Sequence, residues 1–304
     1  QKTGMSKIIG GMAVNYGALA GANFMTSQSG VIFRGIMEGV GVEPAQAFTN
    51  STAIFVTTLI VPIVVIGSYL LFSHKKLNIN ITAEKPAPFD PKQKQSLILI
   101  ITLMAVVLII PILNLIMPHN HLIAFLNSKV DIGFMAIIFA VISLLLKLAD
   151  EKKVVAMVPW GTLIMICGVG MLIEVAIQAG VINELSDWVS TTIPFWVIPV
   201  AMCVIGAFMS LFASTLGVVT PALFPIVPAI AVATGYNPTV LFVCIVVGAQ
   251  ASAISPFSSG GSLILGSTPQ GVNQSQLFND LLFRAVPLGF IAALLAAVVV
   301  QGVL

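Results

Sequence analysis

The chain has 304 residues, of which 58% are hydrophobic and 8% are charged, and its formal net charge is +2. Soluble domains carry about a quarter charged residues, so this composition excludes a soluble protein and predicts an integral membrane protein. Basic clusters with interleaved aromatic residues are absent from the sequence, which argues against nucleic acid as a partner. The three cysteines, Cys167, Cys203 and Cys244, lie in apolar runs and lack the spacing of metal ligands.

Stretches of about 20 apolar residues mark membrane-spanning helices. Two of the predicted spans contain a polar interruption, at residues 25–30 and 255–262. In chain order, the predicted spans cover residues 8–42, 47–73, 96–117, 131–148, 158–179, 192–233, 238–268 and 277–303. Residues 73–95 carry five lysines and three prolines. The sequence therefore predicts an all-α polytopic membrane protein whose two halves are joined by a surface linker over residues 75–95.

The distribution of lysine and arginine predicts the orientation of these spans, since positively charged loops stay in the cytoplasm. The lysines of the linker put residues 75–95 inside. By the number of spans between them, the other basic residues on the same side are Lys2, Lys7, Lys147, Lys152, Lys153 and Arg284. The opposite side collects Glu43, Asp131, Glu184 and Asp187, together with Lys129. We therefore expect a protein of the bacterial cytoplasmic membrane with a cytoplasmic linker.

Residues 192–233 are predicted to enter and leave the membrane on the same side. The segment has a polar tip at Ala213–Gly217, and its second limb contains Pro221, Pro225 and Pro228. Prolines at this density do not suit one unbroken helix. A re-entrant hairpin that enters from outside is therefore expected, with two short spans as the alternative.

The chain repeats itself at an offset of 231 residues. At this offset, small and polar residues around the two interruptions coincide: Gly17 with Gly248, Ser27 with Ser258, Gly30 with Gly261 and Gly35 with Gly266. By the number of spans, the first copy runs from inside to outside and the second from outside to inside. This arrangement is the inverted-topology repeat of secondary transporters.

The repeat divides the chain into three parts. Residues 1–74 form the C-terminal part of a first repeat, 75–95 the linker and 96–304 the second repeat. The second repeat is expected to comprise scaffold spans over 96–180, the hairpin over 192–233, the broken helix over 238–268 and a last span over 277–303. The first repeat has no counterpart of the residues that open the second. We therefore expect the chain to be incomplete at its N-terminus.

The two interrupted spans are the candidates for a transport site. Backbone that is not helical within the membrane has to line a protein cavity, because hydrocarbon cannot pair its polar groups. The carbonyl end of a half-helix suits Na⁺, and its N–H end suits an anion. The hydroxyls expected to bind substrate are those of Thr26, Ser27, Ser29, Ser258, Ser259 and Ser262, and the candidates for ion binding are Gln28, Gly30, Ser255, Gly260 and Gly261. The alternative is that serine and glycine only let helices pack closely.

Arg34 and Glu174 are charged residues within or near spans. Arg34 either meets a substrate carboxylate or pairs with Glu38, one helical turn on. Glu174 either binds a proton or cation or is an interfacial carboxylate. All three histidines lie in predicted loops, so no histidine relay through the membrane is expected.

Three stretches resemble the ion-transporter superfamily, which includes the divalent anion:sodium symporters. "VPWGTLIMICGVGMLIEVAIQAGVINEL" resembles the helix before its outer hairpin, "FASTLGVVTPALFPIV" the hairpin tip and "ASAISPFSSGGSLILG" the second broken helix. Within the superfamily, the chain is most similar to the malonate-type dicarboxylate carriers. The resemblance implies an elevator-type transporter, usually a homodimer, with carboxylates held between hairpin tips and broken helices and Na⁺ at loop carbonyls. It gives the hairpin-tip role to Ser214 and Thr215, where the symporters carry Ser-Asn-Thr and this chain continues with Leu216.

We therefore expect a secondary active transporter of a small organic anion, a dicarboxylate, coupled to Na⁺ or H⁺. The alternative within transport is an inorganic-ion or cation/proton antiporter of the same superfamily, which should carry carboxylates at the breaks. An anion channel fits less well, because inverted broken helices favour alternating access. The spans hold no Ser–His, Asp–Asp or His–Glu constellation, so neither an enzyme nor a cofactor is expected.

Overall fold

The computed structural model describes residues 7–72, 88–117, 120–130, 132–158, 160, 164, 167, 168, 171, 172, 175, 178–266 and 273–304. Every regular element in these ranges is helical, which confirms the all-α fold class. The helices form two compact units, one from residues 1–81 and 161–304 and the other from residues 82–160. The predicted span over 158–179, with Glu174, falls mostly outside the described residues, as does most of the linker.

The residues of the predicted first repeat form α1 (Lys7–Ala22), α2 (Gln28–Gly39) and α3 (Pro44–Phe72). Gly41 turns the chain between α2 and α3 with a φ of +87°, a conformation that favours glycine. Pro44 then begins α3 at the first helical position, where the missing N–H costs nothing. α3 has 29 residues. Its length of about 43 Å exceeds the thickness of the hydrocarbon core.

The smaller unit contains α4 (Pro91–Ile116), α5 (His121–Lys129), α6 (Ile132–Leu145) and α7 (Glu151–Met157). Asp90 caps α4, because its side chain accepts from the Gln93 N–H at 2.7 Å and its own N–H donates to the Gln93 side chain at 3.0 Å. The side-chain oxygens of Asn120 and Asp150 cap α5 and α7. α5 lies in a stretch predicted as a loop, and its start is marked by this cap rather than by hydropathy.

The predicted second repeat continues in the larger unit with α8 (Val181–Thr192), α9 (Ile198–Ser210), α10 (Thr215–Thr234), α11 (Pro238–Ser252), α12 (Ser259–Gly266) and α13 (Gln274–Val303). α9 and α10 are the limbs of the predicted hairpin. α10 includes a π-helical turn at Thr215–Val219 and a 3₁₀ turn at Phe224–Ile226, so its prolines are accommodated without one unbroken α-helix. Its 20 residues reach about 30 Å, the thickness of the hydrocarbon core. The re-entrant path of residues 192–233 stays a prediction.

Four helices among the described residues are long and apolar enough to span a membrane: Pro44–Ser68, Pro91–Asn114, Thr215–Thr234 and Gln274–Val303. Helices α1, α6, α9 and α11 are apolar but shorter. α1 and α11 are the first halves of the two interrupted spans. Each therefore needs the half-helix after its break to complete a crossing.

The two broken helices run in opposite directions. A Cβ on Gly11 of α1 would be in van der Waals contact with Ile264 of α12, and further along α1 the Asn15 side chain lies where a Cβ on Gly260 would point. The chain thus advances along α1 while it goes back along α12. Antiparallel broken helices are what an inverted repeat requires.

α9 and α11 approach each other through two glycines. A Cβ on Gly248 of α11 would lie less than 3.0 Å from the carbonyl oxygen of Cys203 on α9. A Cβ on Gly206 of α9 would lie 2.7 Å from the carbonyl oxygen of Ile245 on α11. Such close backbone approach through small residues is typical of membrane helices. The first limb of the hairpin is therefore packed directly on the second broken helix.

A buried polar network joins the two repeats near the starts of α3 and α11. Asn50 is fully buried, and its Oδ1 accepts from Thr239 Oγ1 at 2.7 Å and from Gln46 Nε2 at 3.0 Å. Its Nδ2 faces Met37 Sδ at 3.6 Å. The carboxamide of Asn50 therefore connects three helices, α2, α3 and α11.

Replacement of Asn50 with alanine is expected to lower the free energy of unfolding by about 1–3 kcal/mol, because the buried hydroxyl hydrogen of Thr239 loses its acceptor. Thermal melting in detergent measures the loss. Thr49→Ala is the matched control, since Thr49 is exposed and its hydroxyl bonds only to the Ala45 carbonyl of its own helix. Equal melting temperatures for the two variants would contradict a role for the network.

Candidate functional site

The structure places the two breaks at residues 23–27 and 253–258. Both lie slightly earlier than the interruptions predicted from the sequence. Gln28, Ser29 and Gly30 are in the first turn of α2. Likewise, Ser259, Gly260, Gly261 and Ser262 form the first turn of α12. These small and polar residues therefore begin the second half-helix instead of forming the gap.

In each break, one serine hydroxyl bonds to backbone carbonyl groups, and the pattern is the same in both. Ser27 Oγ donates to the carbonyl oxygens of Ala22 and Phe24, and Ser258 Oγ donates to those of Ala253 and Ser255. The acceptors are offset by 231 residues, as are the serines. Because each hydroxyl hydrogen is engaged within its break, Ser27 and Ser258 present acceptor lone pairs, not donors, to any bound ion.

The backbone hydrogen bonds of the breaks also coincide. The Ser27 N–H donates to the Phe24 carbonyl at 2.8 Å, and the Ser258 N–H donates to the Ser255 carbonyl at 2.9 Å. The next bond in each half-helix, from Val31 to Ser27 and from Ser262 to Ser258, is 3.0 Å long. The repeated sequence thus produces a repeated local structure, down to single hydrogen bonds.

One glycine in the helical turn after each break allows the chain to fold back this tightly. A Cβ on Gly30 would lie less than 3.0 Å from the carbonyl oxygen of Phe24, and a Cβ on Gly261 equally close to that of Ser255. These neighbours are backbone atoms, so they cannot move aside as a side chain can. Gly30 and Gly261 are therefore required by the shape of the breaks.

The remaining predicted residues of the breaks differ in accessibility. Thr26, Ser29 and Ser255 are buried, whereas Gln28, Ser259 and Ser262 are exposed. Ser255 Oγ accepts from the Phe257 N–H at 3.3 Å, and Ser262 Oγ donates to the Ser259 carbonyl at 3.0 Å. The six predicted residues therefore include both buried and exposed side chains, and their role in binding stays a prediction.

The tip of the hairpin lies beside the second break. The rings of Phe212, in the turn after α9, and Phe257 have centroids 5.7 Å apart. At the tip, Ser214 Oγ accepts from the Gly217 N–H at 3.2 Å, and Thr215 Oγ1 is 3.1 Å from Ser210 Oγ. The second limb reaches the first repeat, because Phe33 of α2 and Phe224 of α10 pack with ring centroids 5.7 Å apart. The hairpin thus contacts both broken helices.

Arg34 pairs with Glu38. Its Nη2 is 3.7 Å from Glu38 Oε1, and its guanidinium lies 5.6 Å from the centroid of the Phe48 ring. Of the two interpretations of Arg34, the structure shows the ion pair along α2.

Two buried asparagines near the breaks were missed in the sequence. Asn23 lies in the first break, where its Nδ2 donates to Thr58 Oγ1 of α3 at 3.0 Å and its buried Oδ1 has no partner among the described residues. Asn15 lies on α1, and its Nδ2 has none either. An asparagine within an apolar helix is a signal that could have identified them, because intramembrane polar residues are costly and mark functional positions.

A partly open pocket lies between α1, α3, α11 and α13. Its polar lining residues are Tyr16, Thr58 and Gln250. Tyr16 OH already donates to the Ala251 carbonyl at 2.8 Å, and Thr58 Oγ1 donates to the Ile54 carbonyl at 2.7 Å. The rest of the lining is apolar, so this cavity does not suit a carboxylate.

Comparison with known proteins also points to a membrane transporter. No curated protein matches the chain significantly. A family model described as citrate transporter matches residues 3–241, which is well over half of the chain. The match lies within the superfamily that the sequence resembles, whereas the similarity to malonate-type carriers stays a prediction. The chain is a membrane transport protein that belongs to the citrate transporter family.

Proposed function

We propose that the protein is a secondary active transporter that moves citrate or a related small carboxylate, including dicarboxylates, together with Na⁺ or H⁺. The family match supports a carboxylate as substrate. The charge distribution and the superfamily resemblance support a homodimer in the bacterial cytoplasmic membrane. An elevator-type movement is part of the same proposal.

The observation that carries the proposal is the pair of breaks. The two breaks have the same internal hydrogen-bond pattern. They belong to helices that run in opposite directions. Each break exposes carbonyl groups at the end of one half-helix and N–H groups at the start of the next. The carbonyl ends attract a cation and the N–H ends attract an anion. Such a site can therefore bind a carboxylate and its coupling cation without a buried charged side chain.

The cation/proton antiporter is the second candidate from the sequence. An antiporter of this kind needs a carboxylate that exchanges its proton or cation within the site. Residues 23–27 and 253–258, both fully described, contain no aspartate or glutamate. This composition favours anion transport over cation exchange.

Gradient-driven uptake tests the proposal. The full chain is reconstituted into liposomes, and uptake of labelled citrate, succinate and malonate is measured under an inward Na⁺ gradient, an inward H⁺ gradient or neither. We expect at least one acid to accumulate above its equilibrium level under one gradient only, and an ionophore that collapses the gradient to abolish the accumulation. Protein-free liposomes provide the background.

Two results would overturn the proposal. Uptake of none of the three acids would remove the carboxylate assignment. Equilibration without accumulation, independent of either gradient, would indicate a channel instead of a coupled transporter.

A further inference from the structure

Five lysines lie at the ends of three helices in the smaller unit. Lys92 and Lys94 are in the first turn of α4, Lys147 follows the end of α6 by two residues, and Lys152 and Lys153 are in the first turn of α7. α4 is one of the helices that are long and apolar enough to span a membrane. We refer to these five residues as the basic end of the unit.

One hydrogen bond joins the start of α4 to the end of α6. Lys92 Nζ donates to the carbonyl oxygen of Lys147 at 3.1 Å. Lys147 has a φ of +54°, a left-handed conformation that turns the chain after α6. α7 begins at Glu151, after at most about 14 Å of further chain. The ends of all three helices therefore lie at one end of the unit.

The basic end is exposed and carries an excess of positive charge. All five lysines are exposed. Residues 90–94 and 147–153 contain these five lysines and three carboxylates, Asp90, Asp150 and Glu151. Two of the carboxylates accept backbone N–H groups as helix caps. No ion pair among the described residues includes a lysine of the basic end, so its ammonium groups are available to an anion.

Exposed apolar side chains flank the basic end. Leu145 and Leu146 lie at the end of α6, Phe89 lies just before α4, and each is more than half exposed. Trp160 follows α7, and its indole N–H donates to the Val155 carbonyl at 3.0 Å. Tryptophan is enriched at the membrane–water interface. The apolar side chains suit acyl chains, while the lysine ammonium groups reach the polar region above them.

We propose that the basic end binds the phosphate headgroup of an anionic phospholipid, whose acyl chains lie along the exposed apolar residues of α4 and α6. The basic end lies on the side predicted to be cytoplasmic, and basic clusters beside a span on that side attract anionic lipids. An ammonium group has three N–H donors, so Lys92 keeps two for a phosphate after its bond to the Lys147 carbonyl. The bound lipid would hold the start of α4 and the end of α6 at a fixed depth in the membrane.

The double variant Lys92→Gln/Lys147→Gln tests the proposal. The full chain is purified in detergent micelles and titrated with phosphatidylglycerol, and the melting temperature gives the half-saturating lipid concentration. Each lysine near an anionic headgroup contributes about fivefold in affinity, so the double variant should need about 25-fold more lipid. Lys92→Arg/Lys147→Arg keeps the charge and should bind as the wild type does.

Lys129→Gln/Arg284→Gln is the matched control, because it removes the same charge elsewhere. Lys129 ends α5, Arg284 lies in the larger unit, and both are exposed. The half-saturating concentration should stay that of the wild type. In the wild type, the stabilisation by phosphatidylglycerol should weaken at about 1 M salt, which screens exposed charges.

Two further titrations identify the ligand. Phosphatidylcholine with the same acyl chains, which has no net charge, and inorganic phosphate should each leave the melting temperature unchanged. An equal shift with phosphatidylcholine would overturn the proposal, as would a shift with inorganic phosphate, which would indicate a soluble anion. Equal half-saturating concentrations for the wild type and the glutamine variant, or no shift in the wild type, would also overturn it. The proposed transport function is independent of these results and is tested by uptake alone.

Discussion

Replacement of Gly248 with alanine is expected to cause the largest loss of stability, because it forces α9 and α11 apart. The new Cβ would lie less than 3.0 Å from the carbonyl oxygen of Cys203 and 2.8 Å from its carbonyl carbon. Both atoms are backbone, so relief requires one whole helix to move. Overpacking of a core costs about 1–3 kcal/mol and occasionally more, and we expect Gly248→Ala at or above the upper end. The yield of monodisperse protein and the melting temperature in detergent measure the effect.

Gly17→Ala is the matched control for Gly248→Ala. Gly17 occupies the equivalent position in the first repeat, but a Cβ there has no atom within 4 Å. Alanine also favours a helix over glycine by about 1 kcal/mol, so this variant should be as stable as the wild type or more stable. A similar loss of stability in both variants would contradict the close contact between α9 and α11.

Replacement of Gly30 or Gly261 with alanine is expected to have the largest effect on transport. In each variant the added methyl group collides with a carbonyl oxygen of the same break, so the carbonyl groups and N–H groups of that break must shift. Small displacements of binding groups cost large factors in rate. We expect carboxylate uptake in proteoliposomes to fall to background, while the variants still insert into the membrane and purify.

Gly35→Ala and Gly266→Ala are the matched controls for the two break variants. Gly35 and Gly266 lie five residues further along the same half-helices, and a Cβ on either has no atom within 4 Å. Both controls should retain the uptake rate of the wild type. Full activity of Gly30→Ala and Gly261→Ala would show that the shape of the breaks is unimportant for transport.

Hydropathy predicted the long helices well. The span expected over 47–73 corresponds to α3 (Pro44–Phe72), and the one over 277–303 falls within α13 (Gln274–Val303). The breaks were predicted within a few residues, because serine, glycine and proline stand out in an apolar sequence. Their exact limits depend on the hydroxyl hydrogen bonds of Ser27 and Ser258, which decide where the second half-helix begins.

Contacts between helices were beyond prediction from this sequence. Periodicity shows which face of a helix is apolar but not which helix it meets, so the contacts of Asn15 with Gly260 and of Gly248 with Cys203 appear only in the structure. Arg34 had two possible partners at the level of sequence, and the structure shows its ion pair with Glu38. The short helix α5 was missed because its sequence is only moderately apolar and its start depends on the cap by Asn120.

The glycine contact between α9 and α11 restricts how the protein can open. No side chain separates the backbones of α9 and α11 at Gly206 and Gly248. The contact between the two helices therefore lacks flexible side chains that would let α9 move outward by itself. We therefore expect α9, the first limb of the predicted hairpin, and α11 to move together as one rigid body. In the proposed elevator-type movement, access to the site would then change through sliding of α9 and α11 together against the rest of the protein, and α9 would not open by itself.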